Sequence, residues 1–271
     1  MAKGLVTGTH LTNIANAIRT KLGVQTTYQP SQMAAAIESI PTGGGAVDLT
    51  TGVKFAYSDF TQLPDEIVGA NWTSITSARN MFYSCSKLAS VSLLDTSELT
   101  DMGYMFISCT KLTAIPQFNT SKATNMQGML RNCSLITTVP LLDTSSVTDI
   151  REMFQSCRAL TAVPHFDTSN ATSMTSMFYA CSNLTTVPQL NTSKATTMSG
   201  MFGQCSSLSN ESLNNILAMC ANATLITNVN YKTLKYVGLT SAQALICEDL
   251  SNWSAFLAAG WTSGYKKRVI Y

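Results

Sequence analysis

Apolar and polar positions repeat along the middle of the chain with a period of 24 residues. Each unit places Met and Phe or Leu before a cysteine, and Leu or Ile three residues after it. A Val or Ile, usually a proline, a Leu or Phe and an Asx-Thr-Ser triplet follow. The cysteines of the period are Cys85, Cys109, Cys133, Cys157, Cys181 and Cys205. One such unit cannot bury its own apolar face, so the pattern predicts a solenoid of stacked 24-residue turns.

Within one unit, the apolar positions 102, 105, 106 and 109 follow the spacing of one helical face. This spacing predicts a short helix with Thr100 as its N-cap and Asp101 in its first turn. The next segment, 112–118, is expected to be a short strand that Pro116 interrupts. The Asx-Thr-Ser triplet is expected to form a turn in which the Asx side chain accepts a backbone N–H. Stacking by backbone pairing would add about 4.8 Å per turn.

The cysteine column predicts free, buried thiols, because a small apolar residue packs well beside its own copy. Disulfide bonds between neighbouring turns are an alternative, although in-register pairs strain the bond torsion. Metal binding is a further alternative, but no histidine or carboxylate column accompanies the thiols. We therefore expect the six repeated cysteines to form a structural ladder and the protein to hold no metal.

The remaining chain divides around this solenoid. Residues 1–41 predict a two-helix element for anchoring or assembly, and 42–47 a Gly-rich linker. Residues 48–77 are expected to form the N-terminal cap of the solenoid at 78–210, and 211–271 its C-terminal cap. In the last segment, residues 212–220 predict a longer helix. The aromatic residues Trp253, Phe256 and Trp261 are expected to be buried in the cap, with ligand contact as the alternative.

Charge and motifs exclude several classes of function. The net charge is +2 and charged residues make up 12% of the chain, with a single basic cluster at 266–268, so we expect no nucleic-acid partner. No apolar run is long enough to span a membrane, and the first residues lack the apolar core of a signal peptide. The two histidines, His10 and His165, lie in no catalytic motif, so we expect neither enzyme activity nor a cofactor.

Positions that vary against the fixed repeat are the candidate binding residues. The column after the proline contains Gln117, Leu141, His165 and Gln189, with Leu93 equivalent in the first copy. A second variable column includes Tyr83 and Tyr179. Variation is equally expected at any unconstrained exposed site, so a solvated surface is the alternative. The Asx column contains both Asp and Asn, which favours a turn over paired-carboxylate catalysis and leaves calcium as a weaker option.

The repeat M-F-x-x-C-x-x-L-x-x-[VI]-P-x-[LF]-[DN]-T-S resembles that of BspA-like leucine-rich repeats, over about residues 78–210. Such repeats occur in bacterial surface proteins and bacteriophage virion proteins. The resemblance implies an α/β repeat fold: a curved solenoid with a parallel sheet on one face and short helices on the other. It also implies adhesion to host surfaces. Residues 11–40 look like an element near the start of phage tail and fibre proteins.

The resemblance thus implies a virion protein made in the host bacterial cytoplasm. It would be a tail fibre or receptor-binding component that attaches to a host-surface glycan or protein. Residues 1–41 would contact other virion proteins, and a homotrimer would be the favoured assembly. The alternatives are a structural or decoration protein such as a head fibre, or a bacterial surface adhesin.

Overall fold

The computed structural model describes residues 55–56 and 58–265. The predicted two-helix element at 1–41, the linker at 42–47 and the basic cluster at 266–268 lie outside these residues. So does most of the segment 48–57, at the start of the predicted N-terminal cap.

Successive coils pair through their backbones at a constant offset of 24 residues. A column of parallel bridges joins one residue from each coil, in the order Ser77, Asp101, Asn125, Asp149, Ser173 and Thr197. This in-register pairing is what a 24-residue sequence period requires if each coil is to repeat the path of the one before it. The predicted leucine-rich-repeat-like solenoid is therefore confirmed.

The segment Met102–Cys109 is a run of hydrogen-bonded turns, so the predicted short helix is wrong. Tyr104 and Ser108 have φ angles of 56° and 61°, which no right-handed helix contains. In addition, the N–H group of every second residue donates to a carbonyl oxygen of the next coil and not to its own coil, as Phe106 N does to Met129 O at 3.0 Å. Two consecutive turns place residues 102, 105, 106 and 109 inside as a helix would, so the apolar spacing alone could not separate the two structures.

The expected helix cap has a different role. Thr100 Oγ1 donates to the carbonyl oxygen of Thr76 in the preceding coil, at 3.1 Å. Asp101 Oδ1 accepts the backbone N–H of Gly103 at 2.9 Å, which closes a local turn. Both residues therefore serve the stacking and the turn, and no helix begins at Thr100.

The predicted strand at 112–118 is reduced to isolated contacts. Thr113 N donates to Ala89 O at 3.2 Å, and a single parallel bridge joins Ala162 to Thr186. The proline of each unit has no N–H to donate, so a continuous ladder cannot pass through this segment. Among the described residues, the regular pairing of neighbouring coils lies instead at the bridge column beginning with Ser77.

The interior consists of columns of identical or similar side chains. The repeated Met, Phe, Cys and Leu positions are buried throughout the coils, except that Leu208 in the last unit is partly buried. Phe rings stack between neighbouring coils, with centroids 5.3 Å apart for Phe82 and Phe106 and 5.6 Å apart for Phe154 and Phe178. Leu130 interrupts this stack, and it is fully buried too. Burial of the apolar columns is the main stabilising contribution of the fold.

The cysteine column is buried and free of disulfides, as predicted. The structure adds a role that the sequence did not reveal. Each thiol donates to a carbonyl oxygen 27 residues earlier, or 30 residues earlier for Cys85, over S···O distances of 3.0–3.2 Å. Cysteine therefore provides a small apolar body together with a weak donor aimed at the preceding coil.

A second buried column points in the opposite direction. The threonine of each Asx-Thr-Ser triplet is at most 2% exposed. In the first four triplets the hydroxyl donates to a carbonyl oxygen of the following coil, as Thr144 Oγ1 does to Asp167 O at 2.7 Å, and in the last one Thr192 donates to Met219 O in the segment that follows the last coil. The column comprises Thr96, Thr120, Thr144, Thr168 and Thr192. Thiols and hydroxyls thus tie each coil to the coils on both sides.

Short helices lie before the first repeat. Helix α1 spans Asp65–Val68, and a 3-10 helix spans Trp72–Ser74. The Trp72 indole is 1% exposed, lies 6.4 Å from the Phe82 ring and donates its Nε1–H to Ile67 O at 2.9 Å. The indole therefore covers the start of the Phe stack.

Up to residue 265, four helices follow the last coil: α2 at Asn210–Asn222, α3 at Leu234–Val237, α4 at Ser241–Cys247 and α5 at Trp253–Ala258. Helix α2 contains the predicted helix and buries Leu213, Ile216, Leu217 and Cys220 along one face. It packs against α4 and α5.

The cap takes the place of a further coil. Gly200 N and Phe202 N donate to the carbonyl oxygens of Tyr236 and Val237, each at 2.8 Å, much as earlier coils donate to their successors. Phe256 and Trp261 are buried as predicted, whereas Trp253 is half-buried. The Trp253 ring stacks on Phe256 at 5.0 Å and packs against the edge of the core. Complete burial of Trp253 was therefore a wrong prediction.

Candidate functional site

The side chains of the column after the proline are exposed in all five coils, including the first, in which Ser92 replaces the proline. Leu93 and Leu141 are 65% and 58% exposed, and Gln117, His165 and Gln189 are exposed as well. The next residue in the chain is buried in each case, so the backbone alternation directs this column outward. We call these five residues the post-proline ridge. At about 4.8 Å per coil, the ridge is roughly 19 Å long.

The ridge stands on a fixed backbone. Gln117 Nε2 donates to Leu141 O in the next coil at 2.6 Å, so one ridge side chain is itself part of the stacking. Each of the other four is followed in the chain by a residue that is buried in the core. A rigid ridge loses little conformational entropy when it meets a partner.

Asx turns border the ridge. In all five triplets the Asx Oδ1 accepts the N–H of the serine two residues later, at 2.9–3.2 Å, which confirms the predicted turn. Hydrogen bonds from Ser145 lower the pKa of Asp143, and those from Ser169 lower the pKa of Asp167. These carboxylates are therefore ionised at neutral pH. A calcium site in this column stays a prediction.

A cavity of about 570 Å³ lies at one end of the ridge, beside the C-terminal cap. Two ridge residues, His165 and Gln189, line it together with Asn191, Ser193 and the buried Leu190. The remaining lining residues, Asn222 and Thr224, come from the end of helix α2 and the residues just after it. Sequence reasoning missed these two residues because they lie outside the repeat. The decay of the repeat at Ser209 was the available signal that a new element covers this end.

The second variable column is less available to a ligand. Tyr83 and Tyr179 are half-buried. The Tyr179 hydroxyl accepts a hydrogen bond from Gln204 Nε2 at 2.8 Å. A Cβ added at Gly203 would lie 2.6 Å from the Tyr179 ring, so the ring covers that glycine closely. Tyr179 therefore has a packing role that exposed ridge residues such as Leu93 and Leu141 lack.

A charged cluster that the sequence did not indicate lies near Tyr104. The Arg79 guanidinium is 5.0 Å from the centre of the Tyr104 ring, and Arg131 pairs with Glu152 at 2.6 Å. Burial, followed by the nearby charge of Glu152, raises the pKa of Tyr104. Opposite charges alternate between coils here, so the cluster pairs coils electrostatically.

The described chain contains no group of three His, Cys, Asp or Glu side chains arranged to hold a metal ion. His165 lies in the open cavity, and His10 lies outside the described residues. Over 55–56 and 58–265, helices that combine the length and apolar character of a membrane span are absent.

These features define a leucine-rich-repeat-like solenoid protein that presents an exposed, variable ridge. The chain belongs to the family described as "Mycoplasma protein of unknown function, DUF285", whose model matches residues 51–159 and 135–231. Among solved structures, a leucine-rich repeat protein from T. pallidum is 20% identical, with a TM-score of 0.40. That match covers 61% of this chain and 83% of the other. No curated protein matches the chain.

Proposed function

We propose that this protein is a non-enzymatic attachment scaffold whose post-proline ridge binds a glycan or protein on a cell surface. The observation that carries the proposal is the ridge itself: five exposed side chains of three kinds, Leu, Gln and His, projecting from a backbone that the buried, repeated columns hold in place. Exposed leucines at 93 and 141 leave apolar area in water that a partner would cover.

The proposed setting is a bacteriophage virion, as a tail fibre or receptor-binding component. The resemblance of the repeat and of residues 11–40 to phage proteins supports this setting. In it, residues 1–41 attach the protein to other virion proteins, and a homotrimer is the proposed assembly. Immunogold electron microscopy of particles tests the setting. Label at the tail tip supports a receptor-binding role, label on the head supports a decoration role, and label on bacterial cells alone supports an adhesin.

Binding of the fluorescently labelled full chain to intact cells tests the ridge. The probe is a panel of Gram-positive and Gram-negative bacteria, measured by flow cytometry. We expect Leu141→Asp to reduce binding at least tenfold, because it places a charge in the middle of the contact surface.

The matched control is Leu135→Asp. Leu135 is 43% exposed and lies in the same coil, but it belongs to a different column. This variant should bind as the parent chain does. Equal loss in both variants, or no binding of the parent chain to any species, would contradict the proposal.

A further inference from the structure

We infer that the cavity beside helix α2 binds a short neutral oligosaccharide. The inference rests on the proposed function, because it makes this cavity the end of the ridge that recognises a surface glycan.

The lining of the cavity selects against charged ligands. Its polar groups are an imidazole, amides and hydroxyls, contributed by His165, Gln189, Asn191, Ser193, Asn222 and Thr224. Carboxylates, ammonium groups and guanidinium groups are absent from the lining as the structure describes it. An ionic ligand would therefore meet no side chain of opposite formal charge in this lining. A sugar instead offers hydroxyls that both donate and accept, which matches amides and hydroxyls.

Two charged side chains adjoin the lining residues along the chain and have partners of their own. Lys194 follows Ser193, and its ammonium donates to Asn170 Oδ1 at 2.6 Å. Asp167 lies two residues after His165, and its carboxylate accepts the Ser169 N–H at 2.9 Å. Neither side chain is part of the lining.

Two of the polar lining residues, Asn191 and Ser193, are held in place before any ligand arrives. Asn191 Oδ1 accepts both the N–H and the hydroxyl of Ser193, at 3.0 and 2.7 Å. Leu190 and Thr192, on either side of Asn191, are at most 1% exposed. The Thr192 hydroxyl also donates to Met219 O in helix α2, which fixes the helix against the coil. Such preorganisation lowers the entropic cost of binding.

Size and shape fit a short oligosaccharide. A volume of about 570 Å³ lies within the range of roughly 300–1,000 Å³ that is usual for small-ligand sites. The residues that line it are exposed apart from Leu190, so the cavity is open. A longer chain can therefore leave the cavity and continue along the ridge toward Leu141.

Saturation-transfer NMR and calorimetry with the full chain test the inference. The neutral probes are maltohexaose, chitohexaose and mannohexaose, and the anionic probes are sialyllactose and a heparin hexasaccharide. We expect binding of at least one neutral probe and no comparable binding of the anionic ones.

Two exposed amide side chains of the same coil provide a matched pair of variants. Gln189→Ala should raise the Kd of the neutral probe at least tenfold, because Gln189 lines the cavity. Asn183→Ala should change it less than twofold, because Asn183 belongs neither to the ridge nor to the lining. Both residues are exposed, and thermal unfolding of each variant checks that it is folded.

Binding of anionic probes alone, no binding of any probe, or neutral binding that Gln189→Ala leaves intact would overturn the inference. If the chain still binds cells and that binding still depends on Leu141, the proposed function stands while the neutral-sugar site fails. Loss of both results removes both proposals.

Discussion

Buried hydrogen-bonding side chains link neighbouring coils in two opposite directions. Each repeated thiol donates to a carbonyl of an earlier coil, and each buried threonine donates to a carbonyl of the next. The carbonyl that accepts the thiol also accepts a backbone N–H: Leu130 O, for example, accepts both Cys157 Sγ and Cys133 N. For Asp167 O, by contrast, the Thr144 hydroxyl is the donor that the described structure supplies. The threonine column should therefore contribute more hydrogen-bond stabilisation per residue than the thiol column.

Replacement of Thr144 by valine isolates that contribution. Thr144→Val keeps the shape of the side chain and removes the donor, which leaves a carbonyl without its partner. We expect a loss of about 1–2 kcal/mol in the free energy of unfolding. Urea-induced unfolding followed by circular dichroism measures it.

Thr148→Val is the control for this variant. The Thr148 hydroxyl is exposed and bonds Thr124 O at 3.3 Å, but the backbone N–H of Thr148 donates to the same oxygen at 2.9 Å. Its loss should change the free energy of unfolding by less than about 0.5 kcal/mol. Equal effects of the two variants would mean that the buried hydroxyl has no special role.

At the scale of the element, the coil was predictable in its period and its inside positions, but not in its backbone conformation. Residues 102, 105, 106 and 109 are buried in turns just as they would be in a helix. The difference depends on left-handed φ values at Tyr104 and Ser108, and non-glycine side chains do not reveal these. The Asx turn was predictable because the Asx side chain bonds within two residues along the chain.

At Gly128 a neighbouring side chain restricts substitution further than the left-handed backbone conformation does by itself. Gly128 and Gly200 are equivalent residues of two coils, with φ angles of 57° and 61°. A Cβ at Gly128 would overlap the Tyr104 ring, whereas a Cβ at Gly200 would meet Ser176 Oγ at an ordinary 3.5 Å. We expect Gly200→Ala to cost about 1 kcal/mol for its backbone alone, and Gly128→Ala about 1–2 kcal/mol more.

The double variant Gly128→Ala with Tyr104→Ala checks this cause. Removal of the ring should recover most of the difference between the two glycine variants, as thermal or urea unfolding would show. If the additional cost of Gly128→Ala persists without the ring, the overlap with Tyr104 is not its source.

At the scale of the molecule, the sequence predicted one part of the candidate site and missed the other. The ridge residues were found because they vary within a fixed repeat. The cavity was not, because Asn222 and Thr224 reach it only through the way helix α2 packs on the last coil. Contacts between a repeat and an irregular cap depend on tertiary packing, which a periodic pattern does not encode.

The stack of buried thiols should make the whole molecule sensitive to alkaline pH. Burial raises the pKa of Cys133 and of Cys205 to about 12, and it raises that of Cys157 as well. The pKa of a cysteine in an unfolded chain is about 8.5. Above about pH 8.5 the unfolded state therefore releases thiol protons that the folded state still holds. The free energy of unfolding keeps its full value below about pH 8.5 and declines as the pH rises toward 12.

Each such thiol should lower the free energy of unfolding by about 1.4 kcal/mol per pH unit above about pH 9. Urea unfolding at pH 8, 9 and 10 in the presence of a phosphine reductant measures the slope. Cys133→Ala is the informative variant. This variant is less stable at every pH because it loses packing. Its free energy of unfolding should nevertheless fall less steeply with pH than that of the parent chain, and the two slopes should differ by the contribution of one thiol. Parallel curves for the parent and the variant would mean that Cys133 ionises as readily in the folded protein as in the unfolded one, which contradicts a dry interior.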